Sequence, residues 1–227
     1  MSYSIMPDTY QDIVYRLTYR ILAKVAPWIP AHIKPNHITM LAFFCALLAN
    51  LLLVLIASPS AYLCWIFFNF AWYVLDALDG LHARRTKQCS EYGAYLDHLL
   101  DNVHFIFMFT AFIIKFKLYH PLFLFIILLR QAAATAVFIS QSHTSQLYLP
   151  RLSGGAELIL LSSAMLASFI WPQPSQALLF LNHINAANPL DFSHGFFMKI
   201  ILLIYLMGTP IAFYSINQFV KNNLNPS

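Results

Sequence analysis

Of the 227 residues, 59% are hydrophobic and only 10% are charged, with a formal net charge of +4. At a mean hydropathy of +0.64 the chain is too apolar for a soluble core. The basic excess alone would suit nucleic acid or an anionic surface, but its placement among apolar stretches argues against a nucleic-acid partner.

Residues 8–28 come first. Ile13, Leu17, Ile21 and Val25 recur at helical spacing, and Arg16, Arg20 and Lys24 fall on other faces. That pattern predicts a basic amphipathic helix in the headgroup region, ended by Pro27 and Pro30. The polar start of the chain predicts no cleaved leader, so the first span serves as its own insertion signal. About 20 apolar residues cross a bilayer as a helix. On that measure the first span covers 38–57, after Pro35, and Ser58-Pro59-Ser60 turns the chain. The second begins near Ala61 and runs into a polar, basic stretch at 84–91. The third starts near Gly93 and leaves near Lys115. The fourth covers 121–141 and contains Arg130; a polar loop at 142–154 follows. The fifth covers 156–171, a loop rich in Pro, Asn and His covers 172–194, and the sixth covers 195–218 with Gly208 and Pro210 expected to bend it. The whole is one all-α integral membrane domain, 1–227, with a six-helix bundle over 38–218. Cys45, Cys64 and Cys89 have no close spacing and give neither a disulfide framework nor a zinc site.

Lys and Arg placement orients the bundle. Arg16, Arg20, Lys24 and Lys34, then Arg84, Arg85 and Lys87, then Arg151 and Lys221 all fall on one side of a six-span arrangement. That side is expected to be cytoplasmic, in the inner membrane if the cell is bacterial.

Carboxylates inside apolar helices are costly unless paired or holding a cation, so Asp76, Asp79, Asp97 and Asp101 mark a site. The first two are spaced i,i+3 and the last two i,i+4, so each pair projects from one face of its helix. Two such helices facing each other form a hard oxygen cage suited to Mg²⁺ or Mn²⁺. Gly80, Ala83 and Gly93 allow close backbone approach, and Arg84 offers a planar cation to a phosphate oxygen. Carboxylates, metal, arginine and small residues together describe a diphosphate site that needs a base for an attacking hydroxyl.

The pattern D-x2-D-G-x2-A-R-x8-G-x3-D-x3-D, complete from Asp76 to Asp101, resembles the signature of the CDP-alcohol phosphatidyltransferases. The resemblance implies a six-helix membrane enzyme that cleaves a CDP-linked donor, releases CMP and joins the remaining phosphoryl group to an alcohol. It implies that Asp76, Asp79, Asp97 and Asp101 bind two divalent ions, that Gly80, Ala83, Gly93 and Arg84 surround the cytidine diphosphate, and that Asp101 is a candidate base. It also implies a homodimer.

Asp-Ala-Leu-Asp-Gly-x-x-Ala-Arg-Arg-Thr followed by Asp97-His98 is most similar to the choline/ethanolamine phosphotransferase branch. A Gly-Pro-Thr-Glu-Gly motif of that branch is matched in part by Gly154-Gly155-Ala156-Glu157-Leu158, which keeps the first Gly and the Glu. By that resemblance His98 and Glu157 would activate a diacylglycerol hydroxyl, and CDP-choline or CDP-ethanolamine would be the donor. The alternative reverses the roles, with a polar alcohol such as serine, glycerol phosphate, inositol or choline attacking CDP-diacylglycerol. Glu157 is the only acid in the last three spans, which marks it independently. A divalent-cation transporter would also need buried carboxylates, but paired half-repeats are absent and Arg84 suits an anion. Arg130 is expected to meet an anionic headgroup or phosphate, Arg85 to anchor at the interface, and His82, His104, His120, His143, His183 and His194 to sit at polar surfaces or loops.

Overall fold

The computed structural model describes residues 11–144, 146–150, 154–171 and 195–224. The expectations for residues 8–10, Arg151, the loop 172–194, His183 and His194 lie outside the described residues.

Helix α1 spans Ile13–Val25 and runs through a 3₁₀ turn, Ala26–Trp28. Asp12 caps it, and Pro27 sits at the start of the turn, where a missing N–H costs nothing. The helix has three faces. Ile13, Leu17 and Ile21 are exposed, Arg16, Arg20 and Lys24 are exposed beside them, and Tyr19, Leu22 and Ala26 pack on Ala77, Leu78 and Leu81. A helix with an apolar outer face, a basic edge and a third side bound to a bundle suits the headgroup layer. Trp28, 81% exposed, extends the apolar face.

Helix α2, Pro35–Leu55, opens on Pro35 rather than three residues later, because proline without its N–H is pre-set for a first helical position. Helix α3, Ser60–Thr86, carries the first half of the motif within the helix, and Lys87 ends it in the left-handed region at φ 57°. Helix α4, Glu91–Phe116, starts at the N-cap Ser90, whose hydroxyl accepts the Gly93 N–H at 3.0 Å. Helix α5 is Pro121–Thr144, α6 is Gly154–Ile170 and α7 is Phe196–Leu224, which continues through Pro210. Among the described residues α2, α3, α4, α5 and α7 are long and apolar enough to cross a membrane. Helix α6, with 17 residues, is the short apolar helix at the place of the expected fifth span.

Short connections make α2, α3, α4 and α5 alternate in direction. Helix α2 packs on α3 and α4, α3 on α6, and α5 and α6 on α7, while α1 lies across α3 and α6. The main apolar core joins the end of α2, the start of α3 and the end of α4, through residues such as Leu53, Trp65 and Phe112. Phe123, Met165 and Met198 of the later helices complete it. All of these lie at the end of the bundle opposite the motif, so the close-packed region and the carboxylates occupy opposite ends.

Candidate active site

The turn at 87–90 between α3 and α4 sets the two halves of the motif side by side. One carboxylate oxygen from each of Asp76, Asp97 and Asp101 lies within 4.8 Å of the others. Three negative groups this close repel one another unless a cation lies between them. Asp97 Oδ1 is buried with no hydrogen-bond partner among the described residues, which leaves an oxygen free for an ion. Hard oxygen donors at this separation fit a divalent cation such as Mg²⁺ or Mn²⁺. Asp79 is not one of this trio; it is buried and accepts the Thr39 hydroxyl proton from α2.

Two cavities meet at these groups. Seven of the eight motif residues line the first, the more polar of the two: Asp76, Asp79, Gly80, Ala83, Arg84, Gly93 and Asp97. The eighth, Asp101, lines the second, together with Trp72, Phe105, Ala133, Val137, Phe138, Arg130 and Glu157. Tyr15, Asp76, Asp97 and His98 border both. Gly93 has a steric reason: a Cβ there would come within 3.2 Å of Asn36 Oδ1 and 3.0 Å of Ser90 Oγ, whereas one on Gly80 would make only ordinary contact with the Arg84 guanidinium at 3.4 Å.

His98 stacks on Phe138 with centroids 4.4 Å apart, and its Nε2 lies 2.6 Å from Gln141 Oε1. A carbonyl oxygen only accepts, so Nε2 carries the proton and Nδ1 the lone pair. That Nδ1 is buried without a hydrogen-bond partner among the described residues and stands 3.7 Å from Asp97 Oδ2. Glu157, in the first turn of α6, is not held by His98. It is buried and forms an ion pair with the part-buried Arg130 of α5, whose guanidinium lies 5.8 Å above the Tyr205 ring. Arg130 was expected to meet a headgroup or phosphate; among the described residues its anion is the Glu157 side chain of the next helix. A lone arginine in the fourth span and a lone glutamate in the fifth were the available signal.

His82 and His104 are corrected: both are 0% exposed inside α3 and α4. His104 Nδ1 lies 3.2 Å from Asn50 Nδ2, and Asn50 Oδ1 accepts the Trp65 indole N–H, so this trio is a buried polar tie between α2, α3 and α4. His82 bonds the Ile33 carbonyl at 2.8 Å and Arg85 the Pro27 carbonyl at 3.3 Å, so both strap the segment between α1 and α2 to α3. Sequence reasoning missed Tyr15, which donates to Asp76 Oδ2 at 3.1 Å, and Tyr19, which accepts from Arg84 Nη2 at 3.3 Å. It also missed Thr39 and Gln141. The tyrosines fall on the face of α1 between its apolar and basic residues, where amphipathic patterning assigns no role.

Residues 32–211 match the family described as CDP-alcohol phosphatidyltransferase, a stretch that contains all eight motif residues. The chain belongs to the CDP-alcohol phosphatidyltransferase family. This family member is 36% identical over 106 residues to cholinephosphotransferase 1 of Bos taurus, covering 43% of this chain and 26% of that protein. It is 37% identical over 82 residues to inner membrane protein YnbA of Escherichia coli K12, covering 36% of this chain and 41% of that protein. It is 30% identical over 151 residues to a CDP-diacylglycerol–serine O-phosphatidyltransferase of Encephalitozoon cuniculi, covering 63% of this chain and 39% of that protein. The chain spans about a quarter of the length of the bovine relative that it matches.

Proposed function

We propose that this protein is a metal-dependent phosphotransferase of phospholipid synthesis that moves phosphocholine or phosphoethanolamine from the CDP-linked donor to diacylglycerol. The observation that carries the reading is the meeting, at Asp76, Asp97 and His98, of a cavity lined mainly by polar and small residues and a second one lined by more aromatic and aliphatic side chains. A water-soluble nucleotide and a lipid hydroxyl reach one set of carboxylates from different sides. The match to cholinephosphotransferase 1 supports this choice of donor.

The CDP moiety lies in the polar cavity, with Gly80, Ala83 and Gly93 leaving room for it and Arg84 pairing with a phosphate oxygen. Asp76, Asp79, Asp97 and Asp101 would hold two Mg²⁺ or Mn²⁺ ions; when bound, such ions supply positive charge that polarises the diphosphate and offsets charge on departing CMP. The acceptor hydroxyl oxygen forms a bond to the phosphorus distal to cytidine. The phosphoanhydride bond breaks, and its electron pair leaves on CMP. The hydroxyl proton passes to His98 Nδ1, the ring atom left without a hydrogen-bond partner among the described residues, while Gln141 holds the other nitrogen. Asp101, on the apolar side of the site, is the second candidate base. Glu157, fixed by Arg130, orients the acceptor. The active site faces the cytoplasm, as the Lys and Arg placement supports, and the assembly is a homodimer.

The alternative, phosphatidyl transfer from CDP-diacylglycerol to a polar alcohol, is favoured by the longer match to the serine enzyme. The deciding experiment is CMP release by purified protein in lipid with Mg²⁺ or Mn²⁺. CDP-choline or CDP-ethanolamine with diacylglycerol is compared with CDP-diacylglycerol and a panel of polar alcohols. Turnover with the first pair is expected. Turnover only with CDP-diacylglycerol would replace the donor assignment, and ion flux without CMP release would replace the enzyme by a transporter.

A further inference from the structure

Asp12 precedes α1 and is 0% exposed, although nothing in the motif calls for a carboxylate there. Its two oxygens do separate jobs. Oδ1 accepts the N–H groups of Val14 at 2.8 Å and Tyr15 at 3.1 Å, in the first turn of α1. Oδ2 accepts the N–H groups of Gly155 and Ala156, each at 3.1 Å, in the first turn of α6. One side chain thus satisfies orphan donors of two helices far apart in sequence, and its charge suits the positive ends of both. The helices touch so closely that a Cβ on Gly155 would lie 2.9 Å from Tyr15 N, Val14 Cβ and the Tyr73 hydroxyl. Directly beyond this junction each helix presents a site residue: Tyr15 donates to Asp76 at 3.1 Å, and Glu157 is paired with Arg130.

We propose that Asp12 is a positioning residue for the transfer reaction, a two-sided cap that fixes Tyr15 against Asp76 and Glu157 beside the apolar cavity. The inference rests on the reading of Asp76 and Glu157 as site residues. The second half of α1 does not depend on the cap, since Tyr19, Leu22 and Ala26 pack separately on α3. Loosening the cap therefore releases the first turns of α1 and α6 and leaves the Tyr19 contact to Arg84 in place.

Asp12→Asn tests this, because an amide has a single acceptor oxygen and its NH₂ would face N–H donors at the other helix. In monodisperse full-length protein, the expected result is a fall in kcat of about 10–100-fold with the KM for the CDP-linked donor within about twofold. Mn²⁺ titrated by electron paramagnetic resonance without substrate should bind several-fold more weakly to Asp12→Asn. It should bind weakly in the same direction to Tyr15→Phe, which removes only the hydroxyl on Asp76. A lowered melting temperature with wild-type kcat and wild-type Mn²⁺ binding would overturn the proposal. If Asp12→Asn does not fold, Gly155→Ala and Tyr15→Phe decide, and wild-type turnover and Mn²⁺ binding in both overturn it. Wild-type protein that is silent with every donor, yet binds Mn²⁺ in a way that depends on Asp12, would sink the reaction and leave the cap standing. Normal turnover unaffected by Asp12 would do the reverse.

Discussion

At one end of the bundle, Trp65, Phe112, Phe116, Phe123 and Met165 are buried almost completely and fill the space between helices. At the other end the same helices present Gly80, Ala83, Gly93, Ala133 and Ala134, and two cavities open around the carboxylates. Side-chain volume contributes to the difference: rings fill one end, whereas at the other small residues leave room between rings such as Trp72, Phe105 and Phe138. Between them, the Asn50, Trp65 and His104 tie crosses from α2 to α3 and α4, so its hydrogen bonds fix the helices where packing gives way to open space. The lesson is a division of labour along each helix, with packing at one end holding the geometry that the hollow end needs.

Substitutions at the two ends should therefore separate stability from turnover. The largest effect belongs to the carboxylates. Asp97→Ala or Asp76→Ala should lower CMP release by roughly 1000-fold or more while the protein still inserts and purifies as wild type. Near-normal activity in either would break the contrast at its root. At the packed end, Phe112→Ala should cost about 3–5 kcal/mol in stability. Activity per folded molecule should stay near wild type, as read by thermal unfolding in parallel with CMP release.

The Arg130–Glu157 pair lies on the boundary and sharpens the comparison. Glu157→Leu alone should destabilise by about 3 kcal/mol, because the part-buried Arg130 guanidinium is left without an acceptor. Arg130→Met with Glu157→Leu should recover most of that stability and none of the turnover. Gly80→Ala should act at the hollow end only, setting a methyl group in van der Waals contact with the Arg84 guanidinium inside the donor cavity and raising the donor KM several-fold with the melting temperature unchanged. The smallest effect is at the start of α4. Ser90→Ala removes its cap and should cost about 1 kcal/mol, visible in a melting curve and weakly in rate.

Motif and membrane class were legible because both are local. Hydrophobic length marks a span whatever its neighbours are, and i,i+3 and i,i+4 spacing places two carboxylates on one face of a helix without reference to the rest of the fold. The amphipathic helix was legible for the same reason, although its third face, carrying Tyr15 and Tyr19, was not. Residues that join distant segments were not legible. Arg130 and Glu157 are 27 positions apart, and Asp12 and Gly155 are 143 apart. Buried His82 and His104 look like surface histidines until their partners are known, since burial of a polar ring depends on what faces it.

The sequence by itself determined that this is a multi-span helical protein with a complete CDP-alcohol phosphatidyltransferase signature, because apolar length and residue spacing along one helix are properties of the chain. Only the tertiary structure decided that Asp76, Asp97 and Asp101 converge while Asp79 turns to Thr39, that Glu157 answers to Arg130, and that Asp12 joins α1 to α6. Those pairings depend on how helices lie against one another, which packing of whole faces sets and no single stretch of residues encodes.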